Sequence, residues 1–193
     1  MNITSGLYKG HKIKSPHDEK IHPMGERERL ALFNIIGNDL SGKTVLDTFA
    51  GSGALGLESL SRGAKKVVFV DNAKNAIKTI AENLHSLPNL DKNRYFIEKS
   101  SLKNFKTSDT FSLIFADPPY DAPENFTPDA LAIFSGLLLS DGLFVLSHPD
   151  SAPLIPGLKL IKTKSYARAH LSFYVIPATK PPFHETDLNV SNF

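Results

Sequence analysis

The stretch Thr44-Val45-Leu46-Asp47-Thr48-Phe49-Ala50-Gly51-Ser52-Gly53-Ala54-Leu55-Gly56-Leu57 decides the fold. Thr44 to Asp47 read as a short strand, and Ala54 to Ser61 as a helix. The turn between them carries Gly51 and Gly53, which permit positive φ and let a ligand approach the backbone closely. Strand, glycine-rich turn and helix together are the context of a nucleotide-type loop. Glycines placed for packing alone are the plain alternative. The spacing Gly51-x-Gly53-x-x-Gly56 also fits a dinucleotide fingerprint. Asp47 before the turn and Phe49 within it pull away from that reading. A carboxylate there repels a pyrophosphate and attracts a cationic sulfonium ligand with an ammonium group.

Outward from this loop the chain alternates strands and helices. Lys66 to Asp71 predicts a second strand, Arg94 to Ile97 a third, Phe111 to Ala116 a fourth and Leu143 to Ser147 a fifth. Helices are expected over Glu26 to Ile36, Ala73 to His85 and Pro128 to Leu139. Near-continuous apolar strands joined by helices mean a parallel sheet covered on both faces. Leu158 to Ser165 and His170 to Ile176 have no helix between them, so they close the sheet as an antiparallel hairpin. The expected fold is therefore α/β and Rossmann-like, with a seven-stranded, mostly parallel sheet. Residues 1–22 read as a small β-hairpin arm, 23–178 as the main domain and 179–193 as an extended tail.

Composition narrows the chemistry. The chain has 193 residues, of which 41% are hydrophobic and 22% charged, which suits one α/β domain and excludes a disordered or fibrous chain. It has no cysteine, so no disulfide framework and no thiolate nucleophile is possible. No apolar run approaches the ~18 residues of a membrane span, and no secretory leader is visible, so a cytoplasmic protein without a membrane partner is expected. Net charge is only +2, but Lys159, Lys162, Lys164, Arg168 and Lys180 stand together without an acid. Lys9, Lys12, Lys14 and Lys20 load the other end. Two basic ends fit a nucleic-acid footprint, or simply solvated lysines. The histidines show no metal-ligand spacing, so no metal is expected, and His148 reads as structural. A monomer is the default.

Asp71 ends the second strand, where a carboxylate of a doubly wound sheet can accept both hydroxyls of a ribose. Asp117-Pro118-Pro119-Tyr120 follows the fourth strand. An exocyclic amine of a nucleobase is a poor nucleophile because its lone pair is delocalised into the ring. Asp117 and the Pro118 carbonyl can accept from its two N–H groups and aim the lone pair at a methyl donor. Pro118 and Pro119 stiffen the loop, and Tyr120 offers a face for a flipped base. As four letters alone the motif is weak; behind the fourth strand and beside the glycine loop it is strong.

These residues, with Thr4-Ser5-Gly6-x-Tyr8-Lys9-Gly10, Pro23, Arg27, Arg29, Ala31-Leu32-Phe33-Asn34 and the run Phe49 to Ala64, carry a resemblance. The chain up to about Ala178 resembles the class I S-adenosylmethionine-dependent methyltransferases. Within them it is similar to the bacterial family that methylates a guanine N2 amine of small-subunit (16S) ribosomal RNA. The resemblance implies that Asp47, Phe49, Gly51, Ser52 and Gly53 cradle the methionine part of S-adenosylmethionine, and that Asp71 with Asn72 holds the ribose. It places Ser100 and Ser101 near the adenine, and Asp117 to Tyr120 on the target base. Tyr8, Lys9, Lys12, Arg27, Arg29 and Arg168 are the expected contacts to RNA or to an assembling small ribosomal subunit. Departures from the family pattern are His22, Met24, Glu26, Leu30 and Ser100-Ser101, the last standing where relatives often carry an acid. The same motif would serve an adenine-N6 methyltransferase. An RNA-binding assembly factor without catalysis and a dinucleotide oxidoreductase are the other readings.

Overall fold

A computed structural model describes residues 1–16, 24–166 and 169–177. His22, Pro23, Arg168 and the tail from Ala178 lie outside the described residues. The elements are α1 (Glu26–Ile36), β1 (Thr44–Thr48), α2 (Ala54–Ser61), β2 (Lys66–Asp71), α3 (Lys74–Ser86), β3 (Tyr95–Lys99), β4 (Phe111–Ala116), α4 (Pro128–Leu131), α5 (Ile133–Leu137), β5 (Leu138–His148), β6 (Lys159–Ser165) and β7 (His170–Val175). They build one seven-stranded sheet in the order β3-β2-β1-β4-β5-β7-β6. The first five strands pair in parallel, and β7 runs antiparallel to both β5 and β6.

Successive side chains of a strand point to opposite faces, and the sequence supplies an apolar residue at nearly every position. Val45, Phe69, Leu113, Phe115, Val145 and Phe173 pack with α1, α2 and α3 on one face. Leu46, Val68, Ile114, Phe144, Leu146 and Tyr174 pack with α4 and α5 on the other. The crossovers β1–α2–β2 and β2–α3–β3 build the sheet in one direction. The chain then returns to lay β4 on the opposite side of β1, so the strand order reverses between β1 and β4. In open α/β sheets such a reversal leaves a crevice beyond the carboxyl ends of the strands.

One expected element differs. The helix over Pro128 to Leu139 is broken at Ala132 and ends at Leu137, because Leu138 joins the sheet opposite Phe111. Burial of Leu138 against β4 outweighs helical continuation through the weak formers Ser135 and Gly136. The expected N-terminal hairpin is present around one antiparallel bridge, Asn2–Lys12, with Ile3 N–H donating to the His11 carbonyl at 3.0 Å, Gly10 N–H to the Ile3 carbonyl at 2.8 Å and Ile13 N–H to the Met1 carbonyl at 2.8 Å. Its backbone turns outward to α2: Leu7 N–H donates to the Ser61 carbonyl at 2.7 Å, Tyr8 N–H to Ser61 Oγ at 2.9 Å, and Thr4 N–H to Glu58 at 2.8 Å. The arm thus covers the outer side of α2, every residue of which is buried.

Candidate active site

The site begins with a left-handed turn. Phe49, Gly51 and Gly53 all have positive φ, at 55°, 55° and 76°, so the turn after β1 coils tightly before α2 starts. Phe49 pays a steric penalty there that a glycine would not, and its ring packs against the core face that holds Phe144 and Tyr174. Gly56 lets α2 lie directly on β2: a Cβ at that position would collide with the buried Phe69 ring.

Asp47 is 2% exposed, and its carboxylate accepts the Gly56 N–H at 2.8 Å. Burial drives its carboxyl well above the ordinary range, opposed by that N–H and reinforced by the negative charges of Asp117 and Asp71. Ser52 is buried, and its carbonyl accepts from Asn83 Nδ2 at 2.9 Å. Asp71, only half-buried, bridges two N–H groups, Gly51 at 2.8 Å and Ala73 at 2.8 Å. Asn72 is exposed beside it. Ser100 and Ser101 follow β3, whose Lys99 pairs with Asp71, and Ser100 N–H donates to the Asp71 carbonyl at 3.0 Å. The expected cofactor residues therefore gather along the carboxyl ends of β1, β2 and β3.

Thr48 pairs with Ala116, so Phe49 and Asp117 leave the carboxyl ends of two neighbouring strands side by side. Asp117 stands there against an apolar group of Met24, Leu32, Leu55, Phe115, Val145 and Leu171. Burial raises its pKa to about 6, against the lowering effect of a Ser147 hydrogen bond, and the negative charge of Glu28 adds to the rise. Pro118 is buried and Pro119 exposed. The half-buried Tyr120 ring lies 6.3 Å from Phe126, and its hydroxyl bonds Ser147. Burial lifts the phenol to about 12, so it stays protonated at neutral pH.

The residues expected to face RNA do not stay together. Arg27 is exposed at the first turn of α1, whose Glu28 acts on Asp117, and Lys12 is exposed on the arm. Lys9 is exposed beside the carboxyl end of α2, at the sheet end away from Asp117. Two expectations are corrected. Tyr8 is 4% exposed and packs in the core. Arg29 is 0% exposed and paired with Glu58 at 3.3 Å, also donating to the Asn2 carbonyl. A guanidinium desolvated and paired in this way holds the arm and α1 to α2 and has no open side for a phosphate. Arg168 lies outside the described residues. The His148 ring bonds Ser172 Oγ at 2.7 Å and the Asp150 carbonyl at 3.0 Å.

Sequence reasoning missed Ser147 and Glu28. Neither type is distinctive by itself, and the only signal was strand order, which sets the end of β5 beside the end of β4. Among the described residues no cluster of acids and histidines could hold a metal ion, and no helix is long and apolar enough to cross a membrane.

Comparison with known proteins agrees with this geometry. The Escherichia coli protein yhhF superposes with a TM-score of 0.79 at 23% identity, covering 93% of this chain and 99% of that one. The Haemophilus influenzae protein HI0767 does so with a TM-score of 0.72 at 27% identity, over 90% and 97%. A Haemophilus influenzae protein named ribosomal RNA small subunit methyltransferase D is 36% identical over 160 residues, covering 80% of this chain and 82% of its own. The Bacillus subtilis protein YlbH is 32% identical over 181 residues, covering 90% and 98%. The model of the family described as Conserved hypothetical protein 95 matches residues 1–175. With that match over nearly all of the domain, and a Rossmann-like sheet common to its relatives, the chain belongs to this methyltransferase family.

Proposed function

We propose that this protein transfers the methyl group of S-adenosylmethionine to the exocyclic N2 amine of a guanine in small-subunit ribosomal RNA. The observation that carries the reading is the Thr48–Ala116 register, which sets Asp117-Pro118-Pro119-Tyr120 directly across from the glycine loop. The relatives named as small-subunit ribosomal RNA methyltransferases support the RNA class.

The residues present fit the cofactor. Gly51 leaves the crevice side of the loop open, since an added Cβ there would meet nothing closer than 3.9 Å. Each Asp71 oxygen already accepts one N–H and keeps a lone-pair direction for a ribose hydroxyl. When bound, S-adenosylmethionine supplies an electrophilic methyl group on a sulfonium. The protein's part is to position. Asp117 and the Pro118 carbonyl accept from the two N–H groups of the amine, which localises its lone pair toward the methyl carbon. Tyr120 presents its ring to the extruded base. The amine loses its proton after its charge develops, so Asp117 acts as an acceptor and no strong base is needed.

The test is transfer of a labelled methyl group to small-subunit ribosomal RNA, naked and protein-bound, with duplex DNA alongside and products resolved as nucleosides. Label in N2-methylguanosine that disappears in Asp117→Ala is the expected result. Label in N6-methyladenosine would overturn the substrate, and no transfer despite cofactor binding would overturn the activity.

A further inference from the structure

The outer edge of the sheet carries a row of cations that the site described above does not use. β6 ends the sheet order and pairs with β7, with Lys164 opposite Leu171, Lys162 opposite Phe173 and Lys159 opposite Val175. Cross-strand partners share a face, and Leu171, Phe173 and Val175 alternate along β7, so all three lysines stand on one face of the sheet. Regular alternation along β6 could not do this, because Lys159 and Lys162 are three residues apart. The register shift between Leu160 and Lys162 supplies one extra residue and so brings Lys159 onto the face of the other two. It is the core face that α1 covers, to which Leu171, Phe173 and Val175 all belong.

The row starts beside the site. Leu171, the partner of Lys164, also pairs with Ser147 on β5, whose Oγ hydrogen-bonds the Tyr120 hydroxyl. Two strand spacings separate Lys164 from Ser147, about 10 Å, and Lys162 and Lys159 follow about 7 Å and about 14 Å further along the edge. Among the described residues none of the three is in an ion pair, whereas Lys14, Lys66 and Lys78 have carboxylate partners. Lys159 is exposed and Lys162 and Lys164 are half-buried. Partial burial and the charge of Lys164 both pull the Lys162 pKa down. Like charges held side by side without a carboxylate partner repel each other, and a polyanion relieves that repulsion. Lysines on an edge strand also deter edge-to-edge pairing, but cations on either face would do that. A bulge that lines them up on one face suits a linear anion.

We propose that Lys164, Lys162 and Lys159 form a phosphate track for the RNA strand that carries the target guanine, leading from the Tyr120 loop along the outer edge of the sheet. The proposal rests on the functional reading above and adds the path of its substrate. A base extruded toward Tyr120 leaves its backbone at the mouth of the site, and the neighbouring phosphates then follow the row of ammonium groups.

The experiment measures binding of small-subunit ribosomal RNA over a series of salt concentrations. It compares wild type, the triple variant Lys159→Gln/Lys162→Gln/Lys164→Gln, the corresponding triple arginine variant and Lys65→Gln, with sedimentation and calorimetric titration of S-adenosylmethionine alongside. Losing three phosphate contacts should cut the slope of log K against log salt by about 2–3 and weaken binding in low salt by about 10- to 100-fold. The arginine variant keeps the charges and should keep the slope. Lys65→Gln removes an exposed cation elsewhere and should leave the slope near wild type. Cofactor affinity in the glutamine variant should stay within about twofold, since the row lies beyond the β5 edge of the site. An unchanged slope in the glutamine variant would overturn the proposal. So would a glutamine variant that aggregates while its monomer binds RNA with the wild-type slope, since the lysines would then serve only to protect the edge. Binding is read without catalysis, so the two readings fail separately. A wild type that binds RNA but transfers no methyl group sinks the functional reading, while the slope still decides the track. Methyl transfer with an unaltered slope sinks the track alone, and a wild type that binds no RNA sinks both.

Discussion

Asp71 holds Gly51: the carboxylate at the end of β2 accepts the Gly51 N–H at 2.8 Å and so fixes the loop that follows the neighbouring strand. Its other oxygen caps the turn into α3 through Ala73 N–H at 2.8 Å. Asp71 therefore shapes the pocket as well as offering acceptors to it. Asp71→Ala should lower S-adenosylmethionine affinity by about 10- to 100-fold, the sum of lost ribose bonds and a loosened loop. Asp71→Asn should fall between, because its amide can match only one of the two N–H groups. Calorimetric titration reads both, and an unchanged Kd in Asp71→Ala would remove the ribose assignment.

Asp117 has its pKa raised to about 6, chiefly by burial. The proposed acceptor role requires the charged form, so methyl transfer should fall below pH ~6 rather than near the ordinary carboxylate range. The sign for stability is the opposite. A raised folded-state pKa means that the fold prefers the protonated acid, so the stabilisation is full below the unfolded pKa and is lost as pH rises through about 6. Asp117→Asn should accordingly raise Tm at pH 7.5, by about 2–4 °C per kcal/mol of relieved penalty, with the gain vanishing near pH 4. A variant that is no more stable than wild type at pH 7.5 would show that burial does not act on this group.

Glu58 is the buried hub of the N-terminal arm. It accepts from Thr4 N–H and Oγ1, Ser5 N–H, Arg29 Nε and both Arg62 Nε and Nη2, while Arg62 lies 4.5 Å over the Phe33 ring. Removing the acid leaves two desolvated guanidinium groups facing each other. Glu58→Ala should cost about 3–5 kcal/mol in urea unfolding. Amides of Thr4 and Ser5 should lose hydrogen-exchange protection first. Replacing the whole Arg29–Glu58–Arg62 set with apolar residues should cost far less, since the penalty lies in the orphaned charges.

Gly56 tests the close contact of α2 with β2. A Cβ there would stand 2.7 Å from Phe69 Cζ and closer still to its Cε1, and the ring is fully buried and cannot swing away. Gly56→Ala should destabilise by about 1–3 kcal/mol despite alanine's better helix propensity. Adding Phe69→Leu should recover part of the loss. A neutral Gly56→Ala in thermal unfolding would mean that α2 can lift off the sheet without penalty.

Periodicity made the strands and their order of use legible, because β1, β2, β4 and β5 are apolar on both faces and each has its turn chemistry nearby. Asp47, Asp71 and Asp117 were readable for a related reason: an acid at the carboxyl end of a buried strand lands on the crevice. Arg29 was not readable, since its burial depends on Glu58, a residue 29 positions away on another helix. Tyr8 was lost in the same way, being held in place by Ser61. Ser147 required knowing that β5 lies beside β4, which periodicity does not encode. The break at Ala132 follows from Leu138 pairing with Phe111, a long-range contact that overrides a local helical pattern.

The exposed cations separate into two places, and RNA binding should follow the geometry. Arg27 stands on α1 one residue from Glu28, whose charge reaches Asp117 and Tyr120, whereas Lys9 lies at the far end of α2. A phosphate next to an extruded base can meet Arg27 but is remote from Lys9. Arg27→Ala should weaken binding of small-subunit ribosomal RNA and reduce the slope of log K against log salt by about 0.7–1, the value of one lost phosphate contact. Lys12→Ala should act in the same direction, and Lys9→Ala should leave the slope near wild type. Lys65, exposed before the amino end of β2 and so at the opposite end of the parallel strands from Asp117, serves as the control. Equal losses in Lys9→Ala and Arg27→Ala would mean that RNA wraps the arm as a whole, with Asp117 at one end of a longer track.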